Sequence, residues 1–208
     1  MRRISQYICV FLLALSCWHV VPRAHAAYIS ISDPKFGNNS ITVDTDTGLQ
    51  WLKVSLSANR TYNDVAGQFE VGGDFAGFRY ATSAEVASLF NAFGLVSGLA
   101  GNTQAQFMNI FGATTFQESF PEVFGLASIS SNGLVPVYGL DFYRDFVNDP
   151  LNGEPSYQII LGSTQFNPAY TSPEYGSWLV QPIPLPPAMV FFATGLAYLG
   201  LMRKMRMG

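Results

Sequence analysis

Apolar positions fall into three regimes along this chain. They are nearly continuous from Tyr7 to Trp18 and again from Ala188 to Met202. Between those runs they alternate or recur at helical spacing, the pattern of a folded domain with a core. Tyr28-Ile29-Ser30-Ile31 and Ile41-Thr42-Val43 alternate and predict strands. Asp44-Thr45-Asp46-Thr47-Gly48 is rich in turn formers, and Leu49-Gln50-Trp51-Leu52 resumes the strand pattern. Ile41 to Leu52 is therefore expected as a hairpin.

Two capping signals follow. Thr61 precedes Tyr62, Val65, Ala66 and Phe69 on one helical face, with Gly72-Gly73 as the stop. Thr82 with Glu85 three residues on is a capping box, ahead of Val86, Leu89, Phe90 and Phe93 and a stop at Gly94. Phe75 to Tyr80, between them, is expected to be extended. Asn102 to Phe111 predicts a third, weaker helix.

Beyond Thr115 the pattern turns to β. Val123–Ser130, Val135–Tyr143, Tyr157–Leu161 and Gly176–Val180 are the expected strands, with Asn132-Gly133 as a turn and 148–155 as a surface loop. Thr164 to Tyr175 reads as irregular. Strands, then helices, then strands describe an α+β fold, a small antiparallel sheet with two or three helices grouped on one side.

Charge sharpens the division into three parts. Three basic residues precede residue 27 and three follow residue 202, while all 14 Asp and Glu and only five basic residues lie between. An acidic body lacks the clustered Lys and Arg that phosphate recognition needs, so nucleic acid is not an expected partner. Both cysteines and both histidines (Cys9, Cys17, His19, His25) also precede residue 27. The body from residue 27 onward therefore has no disulfide, thiol nucleophile, Cys/His zinc site or imidazole-dependent triad. No catalytic residues are expected.

Residues 1–26 have the layout of a secretory signal peptide. Arg2-Arg3 is followed by the apolar run and then by Ala24-His25-Ala26, with cleavage expected before Ala27. The implied partners are the Sec translocon and a signal peptidase. Residues 183–208 hold Pro184-Leu185-Pro186-Pro187, then the uncharged Ala188–Met202, then Arg203-Lys204-Met205-Arg206. A helix over that uncharged segment would be ~22 Å long, close to spanning a ~30 Å hydrocarbon core once the proline lead-in is added. The basic end would stay on the cytoplasmic side. Residues 27–182 form the expected exported domain.

The tripartite tail resembles the PEP-CTERM sorting signals of Gram-negative bacteria, in the variant with Leu185 where the commonest form has Glu. The resemblance implies an exosortase-type membrane peptidase as partner and processing near the proline motif. It also implies passage from the inner membrane to the cell surface or an exopolysaccharide matrix. The body carries a second resemblance. Asp44-x-x-Thr47-Gly48-Leu49-x-Trp51, a helix, Gly77-Phe78-Arg79-Tyr80-Ala81-Thr82-x-x-Glu85-Val86 and a closing Trp178-Leu179-Val180 are similar to bacterial lectin-like domains of uncharacterised function. That likeness implies a C-type-lectin-like topology in which the first and last strands pair.

Candidate chemistry in the body is sparse. Asp44 and Asp46, with Asp33 nearby, are acidic oxygens of the kind calcium prefers. A solvated hairpin turn explains the same residues and is the commoner case. Asp141, Asp145 and Asp149 are spaced by four, and paired carboxylates can in principle hydrolyse glycosides. Arg79, between two aromatic residues, reads as half of an internal ion pair or as a ligand anchor. Tyr170 and Tyr175, flanked by Ser and Pro, are the aromatics best placed to be exposed and to stack on sugars. Trp51 and Trp178 read as core. The expected function is an exported, non-catalytic component or glycan-binding module of the biofilm matrix. The alternatives are a membrane-tethered periplasmic structural domain and a carboxylate-dependent glycoside hydrolase.

Overall fold

A computed structural model describes residues 28–95, 102–117, 120–145 and 154–183. The expected signal peptide, its cleavage residues Ala24, Ala26 and Ala27, and the loop residues 148–153 lie outside these segments. So do the sorting elements Pro184, Leu185, Pro186, Pro187, Arg203, Lys204 and Arg206 and the apolar span between them. No helix among the described residues is long and apolar enough to cross a membrane.

The fold is α+β, built on two sheets where the sequence pattern suggested one small one. The first sheet runs β1–β2–β3–β10–β4, comprising Tyr28–Asp33, Gly37–Asp44, Leu49–Leu52, Leu179–Pro182 and Arg79–Tyr80. The second joins β5 (Thr115–Gln117), β6 (Phe120–Leu126), β7 (Val135–Asp145) and β8 (Glu154–Phe166) in antiparallel order. β9 (Tyr175–Ser177) adds to β6 in parallel. Trp178 separates β9 from β10, so the one closing strand expected from Gly176 to Val180 serves both sheets.

The hairpin forms as expected, with Ile41 opposite Leu52 and Asp44 opposite Leu49. The last strand does not pair with the first. β10 lies between β3 and β4, and β1 holds the sheet edge against β2 alone. Burial explains the order. Leu179 and Val180 are wholly buried and need a central place, whereas Ile29 and Ile31 are exposed and suit an edge.

The helices are α1 (Tyr62–Ala66), α2 (Ser83–Ala92) and α3 (Asn102–Phe111). α1 is shorter than the Tyr62–Phe69 face implied. Thr61 caps it by accepting from the Asp64 N–H, but after Gly67 the chain folds into turns held by Phe75 N–H to the Gln68 carbonyl and Gly77 N–H to Phe69. Those turns also replace most of the extended stretch expected before Tyr80. In α2 both halves of the Thr82–Glu85 capping box are present.

The core lies between the sheets in two clusters. One gathers Trp51, Phe90, Phe107, Phe111 and Trp178 with Val123 and Leu140. The other gathers Ile41, Leu52, Phe75, Phe78 and Tyr80 with Val135 and Leu179. Alternate residues of β10 feed alternate clusters, as the two-residue strand period requires. Trp178 also dictates its neighbour: a Cβ on Gly125 would stand 2.5 Å from the indole nitrogen.

Candidate functional site

The β2–β3 turn is built by Asp44. Its buried carboxylate accepts from the backbone N–H of Asp46 at 3.0 Å and of Thr47 at 3.2 Å. The Gly48 N–H donates to the Asp44 carbonyl at 3.0 Å, and Gly48 takes φ 69°, which a side chain would resist. The turn therefore stands as a fixed wall. Opposite it runs one face of α2, from Ala84 to Ala92, its start fixed by the capping box.

Between turn and helix opens a pocket of about 450 Å³, walled by Tyr28, Leu49, Trp51 and Leu89 with Asp46 and Ser88 at its rim. Tyr28 is anchored by Phe93, 4.5 Å away between ring centroids. Burial pushes the Tyr28 phenol up to about 12, and the charges of Asp44 and Asp46 push the same way. No residue lining the pocket is basic. Trp51 is 1% exposed, and its indole N–H has no hydrogen-bond partner.

Glu85 borders the same pocket but is committed elsewhere. Its carboxylate takes both Arg79 guanidinium nitrogens, at 2.6 and 2.9 Å, and the Thr82 N–H at 2.8 Å. The bond to Arg79 leads in holding the Glu85 carboxyl down at about 2. Arg79 also donates to the Tyr80 carbonyl. Of the two readings of Arg79, the structure shows the internal ion pair.

Tyr170 and Tyr175 come together elsewhere. Their ring centroids lie 6.2 Å apart, and Phe166 stacks on Tyr170 at 4.3 Å. Tyr170 is exposed and Tyr175 half-buried against Phe124. Burial first, then nearby Tyr170 and Glu174, raises the Tyr175 phenol. Asp33 accepts from the Lys35 and Phe36 N–H groups, and so shapes its own turn. Among the described residues no group of three or more His, Cys, Asp or Glu gathers as a metal ion would need.

Sequence reasoning missed Glu122. It is 5% exposed, and its side chain hydrogen-bonds Asp141 on the neighbouring strand. Burial raises the Asp141 carboxyl, and the bond to Glu122 partly offsets the rise. The spacing of Asp141 with Asp145 and Asp149 directed attention along the chain, while the partner lies across the ladder. The available signal was a lone acidic residue beside the apolar Val123-Phe124. No protein-family model, curated protein or solved structure matches the chain.

Proposed function

We propose that the chain is the precursor of an exported surface protein whose folded body is a non-catalytic, glycan-binding component of an extracellular polysaccharide matrix. A signal peptide over residues 1–26 starts export, and an exosortase-type peptidase processes the 183–208 tail. One observation carries this reading. Tyr28 pairs with Asp44, Pro182 pairs with Leu49, and the Ile183 N–H donates to the Gly48 carbonyl. Both ends of the described fold thus meet at one turn, where the two signal-like segments adjoin it. Both segments can then be removed without cutting a strand.

The body's chemistry supports the non-catalytic part. It holds no His or Cys. Glu122 and Asp141 are within hydrogen-bond reach of each other, closer than the ~5–9.5 Å that glycosidase carboxylates keep. The Asp44–Trp51 hairpin lies against the closing strand, but that strand does not pair with the first, so a C-type-lectin-like topology is not part of the proposal.

The test is the intact mass of the protein recovered outside the cell, with and without the exosortase. A species running from Ala27 to the proline motif, lost without the exosortase, is expected. Retention of Arg203–Gly208 in both strains would replace this reading with a membrane-tethered periplasmic domain.

A further inference from the structure

The pocket beside the β2–β3 turn has a consistent chemistry. Its walls are the apolar faces of Tyr28, Leu49, Trp51 and Leu89. Its rim offers carboxylate oxygens, which accept hydrogen bonds and attract positive charge. Asp44 is occupied by its turn and Glu85 by Arg79, so Asp46 is the carboxylate the rim contributes from an exposed position. The Tyr28 phenol is raised first by burial and then by the charges of Asp44 and Asp46, which lie on the same side of the pocket. Trp51 backs the apolar lining, with its indole N–H buried out of a ligand's reach. At about 450 Å³ the space falls within the ~300–1,000 Å³ of small-molecule sites.

We propose that this pocket seats a hexosamine unit, a sugar with a free amino group, from a polysaccharide chain. The apolar face of the ring would lie on the aromatic wall. The ammonium group would meet Asp46, and hydroxyls would donate to the rim. Uronic acids and sugar phosphates would be repelled, because no cation lines the site. The exposed Tyr170 and the half-buried Tyr175 lie outside this pocket and contribute nothing to it.

The inference rests on the glycan-binding part of the proposed function, but the two fail separately. Titration calorimetry of the full-length chain in mild detergent would use three probes: a glucosamine trisaccharide, a glucose trisaccharide and a uronic-acid trisaccharide. The glucosamine probe should bind, the glucose probe about tenfold more weakly, and the uronic-acid probe not at all. Asp46 and Ser88 are exposed, so their variants keep the fold. Asp46→Asn should cost the glucosamine probe about tenfold, and Ser88→Phe should abolish its binding by filling the mouth. Failure of the glucosamine probe to bind would overturn the proposal. So would binding that survives Ser88→Phe, or a uronic-acid probe that binds as well. None of these outcomes touches the mass measurement that tests sorting.

Discussion

Two tryptophans stand 6.1 Å apart in the core and are treated differently. Trp178 belongs to a region where every polar group named is answered. Its indole N–H donates to the Tyr138 carbonyl at 3.0 Å. Next to it the buried Ser57 hydroxyl accepts from the Ser177 N–H and donates to the Val54 carbonyl. The Tyr80 hydroxyl donates to the Tyr62 carbonyl. Trp51 is as deeply buried, yet its N–H has no partner and its ring floors the pocket. Buried polar groups are normally satisfied. The surroundings of Trp178 pair its donor within the scaffold, while Trp51, like the buried Gln104 Oε1 on α3, keeps a polar atom without a partner.

The sharpest way to break this contrast is Trp178→Phe. It removes the bond to Tyr138 and opens a gap beside Gly125, and should cost about 2–4 kcal/mol in urea unfolding followed by circular dichroism. Trp51→Phe removes a similar volume but also an unpaired donor. Its cost should be smaller by about 1–2 kcal/mol. Equal costs would mean that Trp51 is as well satisfied as Trp178.

Glu85 sits on the boundary between the two regions and gives the next effect. Glu85→Gln keeps the shape but loses the charge that holds Arg79 and strengthens the cap, at about 1–2 kcal/mol. The folded carboxyl, at about 2, lies below its unfolded value of ~4.3. Its contribution is therefore complete above ~4.3 and is lost as pH falls toward 2. The variant should show a flatter acid limb in unfolding measured across that window. An unchanged acid limb would assign the pH dependence to another carboxylate.

The scaffold was more legible in the sequence than the pocket. Thr82 and Glu85 announced their helix because the cap is local chemistry three residues apart. The Asp44–Leu49 turn was legible for the same reason, since Asp and Gly fix it within five residues. The second sheet was harder to read because its pairing is non-local. Nothing near Tyr175 states that it runs parallel to Phe124. Asp46 was singled out for calcium, and its position beside Tyr28 depends on which strand takes the sheet edge. Trp51 read as core, which it is. Its missing hydrogen bond is a property of the packed structure and leaves no mark in the sequence.

The smallest effect on stability is also the most specific to the pocket. Asp46 is exposed, so Asp46→Asn should change unfolding by no more than about 0.5 kcal/mol. Its charge nevertheless acts on Tyr28. The Tyr28 phenol is raised to about 12 from its ordinary 10, so the folded state favours the protonated ring. Stability is then unaffected by Tyr28 below pH ~10 and declines as pH rises through the window toward 12. Removing the Asp46 charge should lower the phenol part of the way toward 10, leaving the larger contribution of burial in place. The tyrosinate absorbance titration of the full chain, minus that of Tyr28→Phe, isolates this one ring among ten tyrosines. A Tyr28 titration indifferent to Asp46→Asn would mean that Asp46 does not project its charge onto the pocket wall, and the acidic rim would lose its main member.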